Sequence, residues 1–282
     1  MINYYLITKP GIIMGNLITV AAGFALASNG SFNFWLFLAT MLGLGFVIAS
    51  ACVFNNYIDR PIDKKMARTK NRPLVQGLIS GRNAIIFAFF LAAVGNLILL
   101  FSTNLLTVVI ANIGFLVYVL LYSLWKGRTI YGTAIGSIAG AVPPIVGYCA
   151  VSNQFDAGAL ILFTIMVFWQ MPHFFAIAMY HFDDYAAAGL PLLPMKKGIF
   201  RTKLHMVLYI IGFSGAAALL TLFNYTGTVY MVVALVLGFA WLVLCLKGFK
   251  STNNRLWARQ MFQLSLVIIT SICIIIPFDL IK

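Results

Sequence analysis

Acidic side chains are the scarcest chemistry in this sequence: it holds six Asp residues and no Glu. Asp156 and Asp279 stand alone. The other four form two pairs, Asp59 with Asp63 and Asp183 with Asp184, each just past the end of a long apolar run. The first pair sits in Asn55-Asn56-Tyr57-Ile58-Asp59-Arg60-Pro61-Ile62-Asp63. Asn55, Asp59 and Asp63 recur every four residues, which on a helix lines three oxygen ligands along one face. Hard oxygens suit Mg²⁺, which takes one or two carboxylates and completes its shell with water and substrate phosphates. Arg68, Lys70 and Arg72 follow closely. Carboxylates holding a divalent cation beside guanidinium and ammonium donors can bind a diphosphate and stabilise it as a leaving group. Pro61 removes a backbone donor between the two Asp residues and is expected to kink or end the helix there.

The plainer reading is a solvated helix end with its carboxylates paired to neighbouring Arg and Lys. Scarcity argues against it. A carboxylate at mid-bilayer costs roughly 2.5–3.5 kcal/mol on insertion scales, so those kept near a membrane have a task. The second pair lies in Tyr180-His181-Phe182-Asp183-Asp184-Tyr185. Neighbours on a helix point about 100° apart, so one Asp is expected to ligate a second cation while the other pairs with Lys196, Lys197 or Arg201. Upstream, Trp169-Gln170-Met171-Pro172-His173-Phe174-Phe175 puts a lone His in an apolar stretch that Pro172 is expected to kink. Two readings stay open for His173: a hydrogen-bonded core residue, or a polar or iron-ligating contact to a bound acceptor.

The elements that must position these groups follow from composition. The chain is 62% hydrophobic and 9% charged, too apolar for 282 residues to bury in one soluble core. Apolar runs near 20 residues recur from end to end, so the bilayer is the solvent. Alternating strands are missing, and every backbone group must be paired internally, which leaves helices. Nine spans are expected: 11–27, 34–54, 83–101, 105–124, 131–151, 157–180, 204–223, 229–246 and 261–281. Lys and Arg gather in alternate connections, including 55–82 and 181–203, and are missing from those around 28–32, 102–104, 152–156 and 224–228. That asymmetry places the N-terminus in the cytoplasm and the C-terminus outside.

Most of the net charge of +13 is accounted for by basic loops beside anionic lipid. Nucleic-acid binding is excluded for want of a soluble basic domain. Cys52, Cys149, Cys245 and Cys273 are scattered through apolar spans without metal or redox spacing. The expectation is one transmembrane domain over 1–282. Its long loops, 55–82 and 181–203, face the cytoplasm, with no cleaved leader, in a bacterial inner membrane. The Asp clusters ending spans two and six hint at two related four-helix halves plus a ninth helix.

At these residues the sequence resembles the UbiA-type intramembrane prenyltransferases. Asn55-x3-Asp59-x3-Asp63 is similar to their first motif, and Met66-x-Arg68-Thr69-x-x-Arg72-Pro73-Leu74 is more typical of the haem O synthase branch. Trp169-x-x-Pro172-His173-Phe174 and Asp183-Asp184-Tyr185-x3-Gly189-x-Pro191-x-Leu193-Pro194 continue the likeness over nearly the whole chain. The resemblance implies an all-α, nine-helix bundle with a central cavity capped by the two cytoplasmic loops. It implies Mg²⁺ at Asn55, Asp59, Asp63 and Asp183, with Asp184 also catalytic. Farnesyl diphosphate would be held by Arg68, Lys70, Arg72, Lys196, Lys197 and Arg201, and haem B would meet Trp169 and His173. Haem O would then pass to haem A synthase or a terminal oxidase. The sequence departs from many relatives at a second Asp-x3-Asp, where Ala187 and Ala188 stand. The nearest alternative is a sister enzyme acting on an aromatic acid or quinone precursor. From another class, a transporter of an anion or lipid phosphate predicts charge at mid-membrane, whereas these charges collect on one side.

Overall fold

The computed structural model describes residues 2–281. Among them nine helices are long and apolar enough to cross a membrane, and no strand forms beyond one isolated bridge, Thr226 with Leu280. The chain is a multi-pass membrane protein. In order come a short α1 (Ile2–Ile7), then α2 (Pro10–Ser28), α3 (Phe34–Ile58) and the single turn α4 (Arg60–Asp63). Next are α5 (Gly81–Ser102) and α6 (Leu105–Leu116), the latter continued by a π-helical segment (Val117–Tyr122) and α7 (Ser123–Trp125). Then follow α8 (Gly132–Ser152), α9 (Ala157–Tyr180), the loop helices α10 (Phe182–Ala187) and α11 (Leu193–Lys197), α12 (Ile199–Leu222), α13 (Thr228–Lys247) and α14 (Asn254–Ile275).

Starts follow side-chain chemistry. Asn33, Ser80, Asn104, Asp156 and Asn253 each accept a hydrogen bond from a backbone N–H of the first helical turn, replacing the partners those donors lack. The hub is α8 with α9, the two most buried spans. Contact between α2 and α8 is backbone to backbone: a Cβ at Gly23 would fall 2.0 Å from the carbonyl oxygen of Pro144, and one at Gly147 would fall 2.1 Å from that of Val20. Small residues let membrane helices gain dispersion energy where lipid offers no hydrophobic drive.

Helix α9 continues through Pro172 to Tyr180. Two span boundaries are corrected. The seventh span starts at Ile199 because Lys203, buried, donates to the Gly248 carbonyl at 2.5 Å and to Asn254 Oδ1 at 2.6 Å. The ninth starts at Asn254 and its α-helix ends at Ile275. There Arg255 and Arg259 face outward while Trp257, Ala258 and Met261 bury, so one side of the first turns is polar at no cost to packing.

Candidate active site

Helix α3 stops at Ile58, yet its register carries across the break. Asp59 N–H donates to the Asn55 carbonyl at 2.9 Å and Asp63 N–H to the Asp59 carbonyl at 2.8 Å. Pro61 falls in the first turn of α4, where a missing N–H costs little. The Tyr57 carbonyl, four residues before Pro61, accepts instead from Arg60 Nε at 3.0 Å. The expected interruption therefore leaves the one-in-four spacing standing, and Asn55, Asp59 and Asp63 are all buried.

Each of the three meets a cation. Arg72 donates to Asp63 Oδ2 at 2.6 Å and to Asn56 Oδ1 at 3.2 Å. Lys126, just past α7, pairs with Asp59 Oδ2. Lys9 donates to Asn55 Oδ1 at 2.5 Å, and burial pulls its ammonium pKa down to about 8. Lys9 bridges α1 and α2 in a left-handed conformation (φ 55°), unusual for a side chain with a Cβ. Asn56 Nδ2 holds the turn in place by donating to the Ile7 carbonyl at 2.7 Å. On the facing wall Asn55 Nδ2 donates to Ser123 Oγ at 2.9 Å. Ser123 Oγ donates in turn to the Tyr118 carbonyl, five residues back, which the π turn leaves within reach. Tyr118 and Tyr122 stack beside it, ring centroids 5.4 Å apart.

This donor set fits Mg²⁺. Asp59 Oδ1 is buried with no hydrogen-bond partner, an unspent lone pair in a place where such a vacancy is costly. Among the described residues no three His, Cys, Asp or Glu side chains converge into a self-sufficient metal cage. A cation that draws most of its shell from water and phosphate needs no such cage.

The second cluster meets the first through the loops. Asp184 Oδ1 accepts from the Ala67 N–H at 2.9 Å, and Asp184 Oδ2 lies 3.8 Å from His181 Nδ1. Burial, with Arg68 nearby, lowers the His181 pKa; burial raises that of Tyr185. The expected pairing of this cluster with Lys196, Lys197 or Arg201 is not made: those three are exposed, and Asp184 spends its oxygens on the other loop. Asp183 is exposed and makes no hydrogen bond or ion pair among the described residues. Arg68 and Lys70 are exposed as well.

Trp169 and His173 stack, centroids 4.7 Å apart, and both reach α14: Trp169 Nε1 donates to the Ser265 carbonyl at 2.8 Å, and His173 Nδ1 lies 2.7 Å from Ser265 Oγ. Lys9, Ser123 and Lys126 enter the site without having been singled out by the motif spacing. The available signals were Lys9 beside Pro10 at the mouth of span one, and Tyr122-x3-Lys126 at the end of span four.

A family model described as the UbiA prenyltransferase family matches residues 16–267. A protein named Protoheme IX farnesyltransferase from Protochlamydia amoebophila (strain UWE25) is 61% identical, covering 100% of each chain. One of the same name from Yersinia pseudotuberculosis serotype O:1b (strain IP 31758) is 52% identical over 99% of this chain and 95% of its own. Among solved structures, that of a digeranylgeranylglyceryl phosphate synthase superposes with a TM-score of 0.81 at 19% identity, over 98% of this chain and 96% of its own. A UbiA homolog from Archaeoglobus fulgidus bound to GPP and Mg²⁺ gives 0.71 at 13% identity, over 98% and 99%. These two likenesses are of fold.

Proposed function

From the premise that this chain belongs to the UbiA prenyltransferase family, we propose that it transfers the farnesyl group of farnesyl diphosphate to a vinyl group of haem B, releasing diphosphate and making haem O. The observation that carries the chemistry is the buried Asn55–Asp59–Asp63 row, with one carboxylate oxygen unspent and three cations around it. The acceptor and the isoprenoid length rest on the full-length likeness to proteins named for that reaction.

Mg²⁺, held by Asn55, Asp59 and Asp63 with Asp183 as the second-cluster ligand, would supply charge to bind and neutralise the diphosphate. Asp183 takes that role ahead of Asp184, whose oxygens are already engaged. Arg72, Lys126 and Lys9 stand where a diphosphate beside that row would meet them, so they supply positive charge as the C–O bond breaks and its electron pair leaves with the phosphate. Arg68 and Lys70, exposed on the first long loop, are proposed as further contacts to the headgroup, as are the exposed Lys196, Lys197 and Arg201 of the second. The Tyr118 and Tyr122 rings, stacked beside Ser123, would offer π density to the allylic cation left behind. Apolar walls keep water off until the haem vinyl carbon attacks; water then adds to the porphyrin-side cation and gives up a proton, leaving a hydroxyethylfarnesyl group. Trp169 and His173 support the acceptor side.

The chemistry faces the cytoplasm of a bacterial inner membrane, with the C-terminus outside, and the product is handed to haem A synthase or a terminal oxidase. Membranes containing the protein, incubated with labelled farnesyl diphosphate and either haem B or 4-hydroxybenzoate, test the reading. Label should enter haem; label entering only the phenolic acid would overturn the acceptor.

A further inference from the structure

At the same end of the bundle as the Asp clusters lies a cavity of about 270 Å³ that the chemistry above does not use, lined by Tyr180, Asn253, Arg255, Leu256 and Arg259. Arg255 and Arg259 are four residues apart on α14, on one exposed face. Neither is in an ion pair among the described residues. Five of the six Asp are committed elsewhere: Asp59, Asp63 and Asp184 are engaged within the first site and its roof, Asp156 binds Tyr148, and Asp279 binds the Tyr230 N–H. The sixth, Asp183, is exposed and pairs with neither arginine. Two unspent guanidiniums facing one hollow form a receptor for a dicarboxylate or a phosphate. The cavity also has an aromatic wall, with Arg255 Cζ 5.8 Å from the Tyr180 ring centroid. Tyr180 ends α9 and its ring lies tilted against that of His181, centroids 4.5 Å apart; His181 faces Asp184, and Asp184 holds the first loop at Ala67. The hollow therefore adjoins the roof of the candidate active site.

We propose that Arg255 and Arg259 bind the two propionate carboxylates of the haem acceptor. The proposal rests on the haem reading above. A haem carries its propionates on one edge and its vinyl groups away from that edge. Guanidiniums at the aqueous rim would hold the charged edge out and turn the vinyl-bearing part toward the bundle. A lipid phosphate would meet the same charges, but it needs neither the aromatic wall nor the adjacency to the loop roof.

The test uses the full chain in nanodiscs of zwitterionic lipid, with Arg255→Gln/Arg259→Gln and, as control, Lys250→Gln, an exposed cation outside the cavity. Farnesyl transfer is measured with haem B and with its dimethyl ester, which keeps the vinyls but lacks the carboxylates. In the unaltered protein esterification should raise KM about tenfold or more, the order of one or two charged hydrogen bonds. In the double variant KM for haem should rise to that of the ester, with kcat changed less than about twofold and the ester kinetics unmoved. Labelled farnesyl diphosphate binding should stay normal, which shows the fold intact. A variant that still prefers the diacid overturns the proposal, as does a loss that appears only when anionic lipid is added, which would assign the arginines to headgroups. An unaltered protein that converts neither porphyrin overturns the haem reading and this inference with it.

Discussion

Replacing Asp59 with Asn keeps the side chain's size and removes its charge, and two separable losses should follow. Lys126 is left without a counter-charge, its side chain 13% exposed against 6% for Asp59. Breaking a buried ion pair from one side costs about 3–5 kcal/mol, and this pair, near the rim, belongs toward the lower figure. The second loss is ligation. Asp59 Oδ1 is a fully buried oxygen without a partner, and losing the carboxylate should weaken metal binding at least about 100-fold, the upper end of what outer-shell partners alone cost. Thermal inactivation in nanodiscs reads the first loss. Mn²⁺ titration by electron paramagnetic resonance, with farnesyl transfer, reads the second. Adding Lys126→Met removes the stranded ammonium, so Asp59→Asn/Lys126→Met should recover most of the stability and none of the Mn²⁺ affinity. A double variant that regains both would show Asp59 to be no more than a counter-ion for Lys126.

Further outcomes follow from other contacts. Asp184→Ala removes the acceptor of the Ala67 N–H and should speed proteolysis of the 55–82 loop and raise KM for the prenyl diphosphate several-fold; Asp184→Asn, which keeps an acceptor oxygen, should lie much nearer the unaltered protein. Chelating divalent metal should abolish transfer yet move Tm by less than about 2 °C, because Lys9, Lys126 and Arg72 already offset the buried oxygens; a large fall would mean the metal is structural. Gly23→Val should cost at least about 1–3 kcal/mol of stability, seen as lost folded yield, since its Cβ would fall 2.0 Å from the Pro144 carbonyl oxygen. Gly15→Val, where nothing lies within 4 Å, is the matched control and should behave like the unaltered chain.

How much of this was legible beforehand depended on the range of the interaction. The nine spans were readable because the bilayer forbids unpaired backbone, so long apolar runs have one solution. The Asn55–Asp59–Asp63 row was readable because helix register is local, and it survived Pro61 because Arg60 took over the carbonyl that Pro61 left open. Boundaries slipped where polar side chains found distant partners: Lys203 let α12 begin early by reaching Gly248 and Asn254. The site's other cations were hidden for the same reason. Lys9 and Lys126 look like ordinary inside-positive residues until the packed bundle brings them onto Asn55 and Asp59. The partner of Asp184 was equally opaque, being a backbone amide 117 residues away.

The positions of those partners along the chain bear on biogenesis. Lys9 precedes Asn55 by 46 residues, but Lys126 follows Asp59 by 67. At about 5–20 residues per second, a ribosome delivers Asp59 to the membrane roughly 3–13 s before Lys126 exists. During that interval the carboxylate has no mate and must stay hydrated at the lipid surface, so the Asp59 end of the second spanning helix cannot settle to its final depth. Only the arrival of the fourth helix neutralises it. Nascent chains stalled between residues 59 and 126 should therefore carry a water-exposed half-site.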